Sequence, residues 1–227
     1  MEEQQLLDAC RDGKVDEVKQ LLNTSNIDLN CQDQENDDRT PLDYACRNDH
    51  IEIVKLLLND QRVDTNKPNK NGSTPFYVAC YQGYIDIVKL LLNDQRVDIN
   101  KPKNDRWTPF NVACYQGHID IVKLLLNDKR VDVNKAANNG ATPFYVSCQQ
   151  GHIEIVKLLN DQRVDVNQAE NEFAKTPFYI TCQEGHIEIV KLLLNDERID
   201  VNKANKNEET PFYIACEKGH IEIVKLL

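Results

Sequence analysis

The chain has 227 residues, a formal net charge of −10 and 41% hydrophobic residues, with lysines and arginines scattered among the acids instead of gathered into one stripe. That balance argues against tracking a nucleic-acid backbone, and Lys55 and its counterparts break the apolar runs before they reach membrane-spanning length. The opening Met-Glu-Glu-Gln-Gln lacks the basic and apolar segments of a signal peptide, so a cytoplasmic protein is expected, with the nucleus as the alternative compartment.

Residues 1–35 begin with a degenerate helix pair marked by Leu6, Leu7, Ala9 and Cys10, the turn at Gly13, then Val15, Val18, Leu21 and Leu22. The rest of the segment is heavily charged, as a unit with one face in water must be, and it reads as a capping repeat. From there Thr-Pro returns every 34 residues, at Thr40, Thr74, Thr108, Thr142, Thr176 and Thr210. The period divides a single domain, residues 1–227, into internal repeats 36–69, 70–103, 104–137, 138–171 and 172–205 and a shortened last repeat 206–227. No such unit has enough core to stand alone; each buries its apolar face against its neighbours. The chain stops at Leu226-Leu227, inside a helix whose counterparts continue, which predicts a longer array or an attached further domain.

Within one copy, Thr74 to Gly83 carries the marks of a short helix: threonine at the N-cap, proline at the first helical position and glycine just past the end. Tyr84 to Leu92 forms a second helix, apolar around most of its circumference and acidic in its first turn. About fifteen residues without helical period follow, tipped in two copies by Asn71-Gly72 and Asn139-Gly140, the strongest short signal for a tight hairpin turn. A tetratricopeptide unit has the same period but turns here in a few residues. Asn-Gly-x-Thr-Pro-Phe-Tyr-x-Ala-Cys-x-x-Gly-His-Ile-Glu-Ile-Val-Lys-Leu-Leu-Leu instead resembles the pattern of the ankyrin-repeat family over nearly the whole chain. The resemblance implies an all-α repeat solenoid of about seven stacked helix-turn-helix units with projecting β-hairpin loops.

The departures from that pattern are specific. The family's histidine after Thr-Pro-Leu is replaced by Tyr77, Tyr145, Tyr179 and Tyr213, by Asp43 and by Asn111, which puts its bridge between repeats in question. The family's Gly-Ala after the second helix has become Asn-Asp-x-Arg-Val-Asp, one residue longer, and Asn59, Asn93, Asn127 and Asn195 are expected to stop their helices in left-handed conformation. One copy has a shortened Leu158-Leu159-Asn160 and regains its length around Glu172-Phe173.

Cys46, Cys80, Cys114, Cys148, Cys182 and Cys216 hold one position per copy, aligned with Cys10. Stacked helices lie roughly 8–10 Å apart, too far for a disulfide, so these are expected to be buried thiols, with only Cys31 placed to react. The Cys-x-x-x-His spacing of Cys114 with His118 or Cys148 with His152 suggests a zinc pair or a thiol–imidazole dyad, but Tyr84 fills the histidine position in one copy and no acid recurs beside either group. The histidine reads as a structural hydrogen-bonding residue. No nucleophile, phosphate loop or ligand cluster emerges, so no enzyme activity, metal or cofactor is expected.

Positions that vary between copies are freed from packing and available for recognition. In the architecture the chain resembles, hairpin tips and the exposed end of the first helix line a concave groove that binds partners. Trp107, the only tryptophan, lies beside Arg106 in the copy that carries Tyr115, next to the copy that carries Tyr81. These residue types dominate binding hot spots. The expected site is therefore Tyr81, Arg106, Trp107 and Tyr115 with Gln82, Gln116, Gln149 and Gln150 around them, on a monomeric scaffold that binds a protein or peptide. Two alternatives stand beside it: a regulatory or targeting module of a larger polypeptide such as an enzyme or ubiquitin-system component, and a substrate of an asparaginyl hydroxylase at Asn100, Asn134 or Asn167.

Overall fold

The computed structural model describes residues 2–227. Among them every regular element is helical, and the chain divides into two compact units, one ending at Pro109 and the other spanning Phe110–Leu227.

The first unit holds α1 (Glu2–Asp12), α2 (Val15–Leu22), α3 (Pro41–Arg47), α4 (Ile51–Asn59), α5 (Pro75–Gln82) and α6 (Ile85–Asn93). Each odd-numbered helix pairs with the even-numbered one after it, α3 packs between α1 and α5, and α4 lies between α2 and α6. The second unit continues the same order with α7 (Pro109–Gln116, its first residue closing the first unit), α8 (Ile119–Leu126), α9 (Pro143–Gln150), α10 (Ile153–Leu159), α11 (Pro177–Glu184), α12 (Ile187–Leu193), α13 (Pro211–Glu217) and α14 (Ile221–Val224). There α11 packs between α9 and α13, and α10 and α12 follow α8 in a second row.

The first helix of each copy starts where its threonine dictates. Thr40, Thr74, Thr142, Thr176 and Thr210 each accept the N–H three residues on at 3.1–3.2 Å, which satisfies one of the four donors orphaned at a helix start. Proline follows at the first position, and Gly83, Gly151 and Gly185 close α5, α9 and α11 in left-handed conformation. The core is then filled by phenylalanines (Phe76 in the first unit, Phe110, Phe144 and Phe178 in the second) and by the Ile-Val-x-x-Leu face of the second helices, all close to full burial. Each such side chain contributes about 1.5–3 kcal/mol on leaving water.

The second helices end differently from the expectation. Asn59 and Asn93 are the last helical residues of α4 and α6, Asn127 follows α8 at φ −80°, and none of the four asparagines has positive φ. The terminal carbonyls are taken instead by an arginine from the next repeat. Arg62 donates to the carbonyls of Leu22 and Thr24 at 2.7 and 3.1 Å, Arg96 to those of Leu58 and Asp60 at 2.7 and 3.3 Å, and Arg163 to that of Leu126 at 3.3 Å. Each guanidinium is held in place by the aspartate two residues before it, such as Asp94 at 2.6 Å from Arg96. A cation at the negative end of a helix is the dipole's natural complement, so no left-handed stop is needed. The shortened copy departs once more: with no third leucine, the side chain of Asn160 faces Arg198.

The projecting hairpins are compact loops with little strand character. Asp33 and Arg39 form an isolated antiparallel bridge, and elsewhere one backbone bond closes the stem, as from Asn69 N–H to the Ser73 carbonyl at 3.0 Å. Successive tips pair within a unit: Lys70 N–H meets the Asp37 carbonyl at 2.8 Å, Asn104 N–H the Asn71 carbonyl at 3.1 Å, and Asn171 N–H the Asn139 carbonyl at 2.7 Å.

Candidate partner-binding groove

In the first unit the end of α3, the end of α5 and the two hairpins that follow these helices enclose a groove of about 310 Å³. Tyr81, 45% exposed, forms one wall. Tyr77 and Val78 are buried beneath, and Arg47, Lys103 and Asp105 bring charge to the rim. Lys103 pairs with Asp105 at 2.7 Å. Arg47 uses its Nε on the buried Asp43 at 3.3 Å, and Asp43 also accepts from Asn69 Nδ2 at 3.2 Å, across one repeat. Burial pushes the Asp43 carboxyl up, opposed by Arg47 and Arg39. Burial, assisted by Asp105, pushes the Tyr77 hydroxyl up.

Four of the expected recognition residues belong to the first unit. Tyr81 lines the groove, and Arg106 and Trp107 follow Lys103 and Asp105 in the same hairpin. Trp107 is half-buried, and its carbonyl closes the hairpin stem by accepting the Lys103 N–H at 3.0 Å. Arg106 is exposed and holds φ +66° at the tip position that Gly72 fills one copy earlier. Gln82 has a structural commitment: its side-chain amide donates to the Arg47 carbonyl at 3.2 Å. The other four lie in the second unit, where Tyr115 and Gln150 are exposed and Gln116 and Gln149 half-buried at the ends of α7 and α9. Lys103 and Asp105 were missed by sequence reasoning. The signal was present, because the residue whose N–H closes the stem is Asp33, Asn69, Ala137, Glu170 or Asn205 in the other copies and only here a cation.

Phe173 is 41% exposed on the inserted loop of the second unit, with Lys175 Nζ 5.2 Å from its ring centre. The buried Glu170 holds that loop by accepting the N–H groups of Glu172, Phe173 and Lys175. The exposed Phe212 and Tyr213 are the counterparts of Phe178 and Tyr179, which are buried under the following helix pair.

The residues that suggested chemistry are committed to the stack. His50, His152, His186 and His220 each place Nε2 2.9–3.0 Å from a carbonyl of the preceding repeat, that of Arg11, Tyr115, Gln149 and Gln183. Asn30, Asn66, Asn134 and Asn167 each donate to the carbonyl and accept from the N–H of the next loop, as Asn66 does to Arg96 at 2.6 Å and from Asp98 at 2.7 Å. An enzyme modifying Asn134 or Asn167 would have to draw the loop out of this ladder. The family histidine's bridge has substitutes: Asp43 reaches Asn69, and the Tyr179 hydroxyl lies 3.2 Å from Asn205 Nδ2 and 3.3 Å from Glu209. The cysteines are all thiols. Cys31 differs from the expectation, for burial and the neighbouring Asp28 and Glu3 push its thiol up to about 12, so it lacks the thiolate a reactive cysteine needs.

Paired helices stacked in two rows, threonine-capped, with loops that pair tip to tip, define a helical repeat protein. A family model for ankyrin repeats matches residues 6–103, 95–170 and 162–227, and the chain belongs to that family. No curated protein matches the chain. Ankyrin repeats are in general protein-interaction modules.

Proposed function

We propose that this chain is a non-enzymatic scaffold that binds a protein or peptide segment on the concave surface formed by hairpin tips and first-helix ends. The observation that carries this reading is the groove beside Tyr81, where a large exposed aromatic borders a cavity that also has Arg47 and Lys103 in its lining. Large amphipathic rings at a partly desolvated cleft are what binding hot spots are made of. The recurring histidines His50, His152, His186 and His220 and asparagines Asn30, Asn66, Asn134 and Asn167, by contrast, spend their polar atoms on neighbouring repeats. Trp107 and Arg106 extend the surface in the first unit, and Tyr115, Gln116, Gln149 and Gln150 offer the corresponding positions in the second.

The test is affinity capture with quantitative mass spectrometry, comparing the natural chain with Tyr81→Ala and Trp107→Ala and following the helical circular dichroism of each. Partners held by the natural chain and lost by both variants at unchanged helicity are expected. A set of partners indifferent to both substitutions rejects the site.

A further inference from the structure

The groove beside Tyr81 contains unspent hydrogen-bonding capacity, and that capacity has a sign. Arg47 meets Asp43 through Nε alone, and its two Nη nitrogens make no hydrogen bond among the described residues. The hydroxyls of Tyr77 and Ser73, on side chains only 6% and 7% exposed, also line the groove with no hydrogen-bond partner among the described residues. Lys103 Nζ, held at the opposite rim by Asp105, completes the set. Every one of these groups can donate, and a guanidinium fork, an ammonium and two hydroxyls converging on one cleft match an acceptor with several lone pairs.

Comparison of copies separates this from packing. Among the copies that begin with Thr-Pro, the position of Arg47 is otherwise Tyr81, Tyr115, Gln149, Gln183 or Glu217, while the capping repeat has Arg11 there; no other copy has a cation where Lys103 stands. Arg47 and Lys103 thus meet on one groove, a combination that no other pair of copies has at these positions, while the chain as a whole is acidic.

We propose that this groove receives the carboxylate of an aspartate or glutamate side chain within the bound segment, held by Arg47, Lys103, Tyr77 and Ser73, with the flanking residue of the segment resting on Tyr81. The inference depends on the reading of the chain as a peptide-binding scaffold. Asp43 and Asp105 are the anions at the site; each is already matched to a cation, Arg47 and Lys103 respectively, and neither needs the ligand.

The experiment selects a phage-displayed random dodecapeptide library on the full chain, then measures amidated synthetic copies of the selected peptides by fluorescence polarisation. Peptides sensitive to Tyr81→Ala should share an acid at one position, and changing that acid to its amide should weaken binding about tenfold, as charge-assisted bonds do. Lys103→Asn, which installs the residue of Asn69 and Asn205, should weaken the acidic peptide about tenfold and leave its amide version unchanged. Arg47→Gln is made together with Asp43→Tyr, so that no buried charge is stranded and the Tyr145 and Gln149 pattern is reproduced. Tyr81-dependent peptides without a shared acid, or with an acid indifferent to Lys103→Asn, overturn the carboxylate assignment and leave the scaffold standing. Recovery of no Tyr81-dependent peptide overturns both.

Discussion

Glycine and histidine in this chain are a matched pair across repeats, and the pairing explains an exception. A β-carbon at Gly13 would lie 2.8 Å from the ring of His50, and the same holds for Gly117 against His152 at 2.8 Å and for Gly151 against His186 at 2.6 Å. Where the glycine is absent, the histidine is absent as well: Asp49, at φ +59°, replaces the glycine, and Tyr84 stands one repeat on in place of the histidine. The Arg47 carbonyl that such a histidine would have reached is taken by Gln82. Tyr84→His alone should therefore bring no stability, since its ring would meet the Asp49 side chain. Combined with Asp49→Gly it should gain about 0.5–1.5 kcal/mol in urea unfolding, the net value of one hydrogen bond. A gain from the single variant would show that the ring does not need the space. The hairpin tips follow a related rule. Gly72 at φ +81° would put a β-carbon 2.4 Å from Asn104 Oδ1 and 2.7 Å from Asn104 N, so Gly72→Ala should cost about 1–3 kcal/mol. Arg106 carries a side chain in the same conformation, and Arg106→Gly should stabilise by about 0.5–1 kcal/mol while weakening partner capture. Stability and capture lost together would mean that the arginine is structural.

At the scale of the element, what distinguishes these repeats is the arginine that closes the previous second helix. Arg96 spans Asp94 in its own loop and the carbonyls of Leu58, Asp60 and Val63 in the one before, so Arg96→Ala removes a cap and an inter-repeat bond in one step. A loss of about 1–3 kcal/mol is expected, with the C-terminal turn of α4 the first segment to exchange its amide hydrogens. The same clasp makes a pH prediction. Hydrogen bonding to the arginine two residues on lowers the carboxyls of Asp60, Asp94, Asp128 and Asp196 below their ordinary 3.8. A carboxyl with a depressed folded value stabilises above its unfolded value and loses that contribution as pH falls through the folded one. Stability should accordingly decline below about pH 4, and Asp94→Asn should flatten the decline measured between pH 5 and 2. Because these pairs are local and largely solvated, each is a small part of the whole, and the acid slope reflects their number. Sequence reasoning located the clasp segment, Asn-Asp-x-Arg-Val-Asp, as an extra residue and assigned its function to the asparagine. The error has a physical source: helix-stop rules describe a helix by its own residues, whereas these helices are ended by a side chain arriving from the next copy.

Across the molecule, the legible part was whatever repeats. Thr-Pro, the glycine turn and the Ile-Val-x-x-Leu face determine each helix from within its own copy, so period and boundaries could be read directly. The groove was harder to see because Arg47, Lys103 and Tyr77 are far apart in the chain and meet only through the stacking of one copy on the next. The repeated cysteines offer a measurement at this same scale. Cys10, Cys46, Cys80, Cys114, Cys148 and Cys182 are fully buried, one in each successive copy, whereas Cys216 is exposed. Burial pushes the buried thiols well above their usual range, which removes the thiolate as well as the access. In a stack held by nearest-neighbour contacts, alkylation of a buried thiol must wait for its repeat to open, so its rate reports local stability. Pulsed alkylation with peptide-level mass spectrometry should label Cys216 first and rapidly, in native conditions. The buried cysteines should follow only with added urea, and Cys80 should respond to Gly72→Ala while Cys182 does not. A buried cysteine labelled as fast as Cys216 without denaturant would mean that its repeat is not packed as described, and equal responses of Cys80 and Cys182 to Gly72→Ala would mean that the array opens as one cooperative whole.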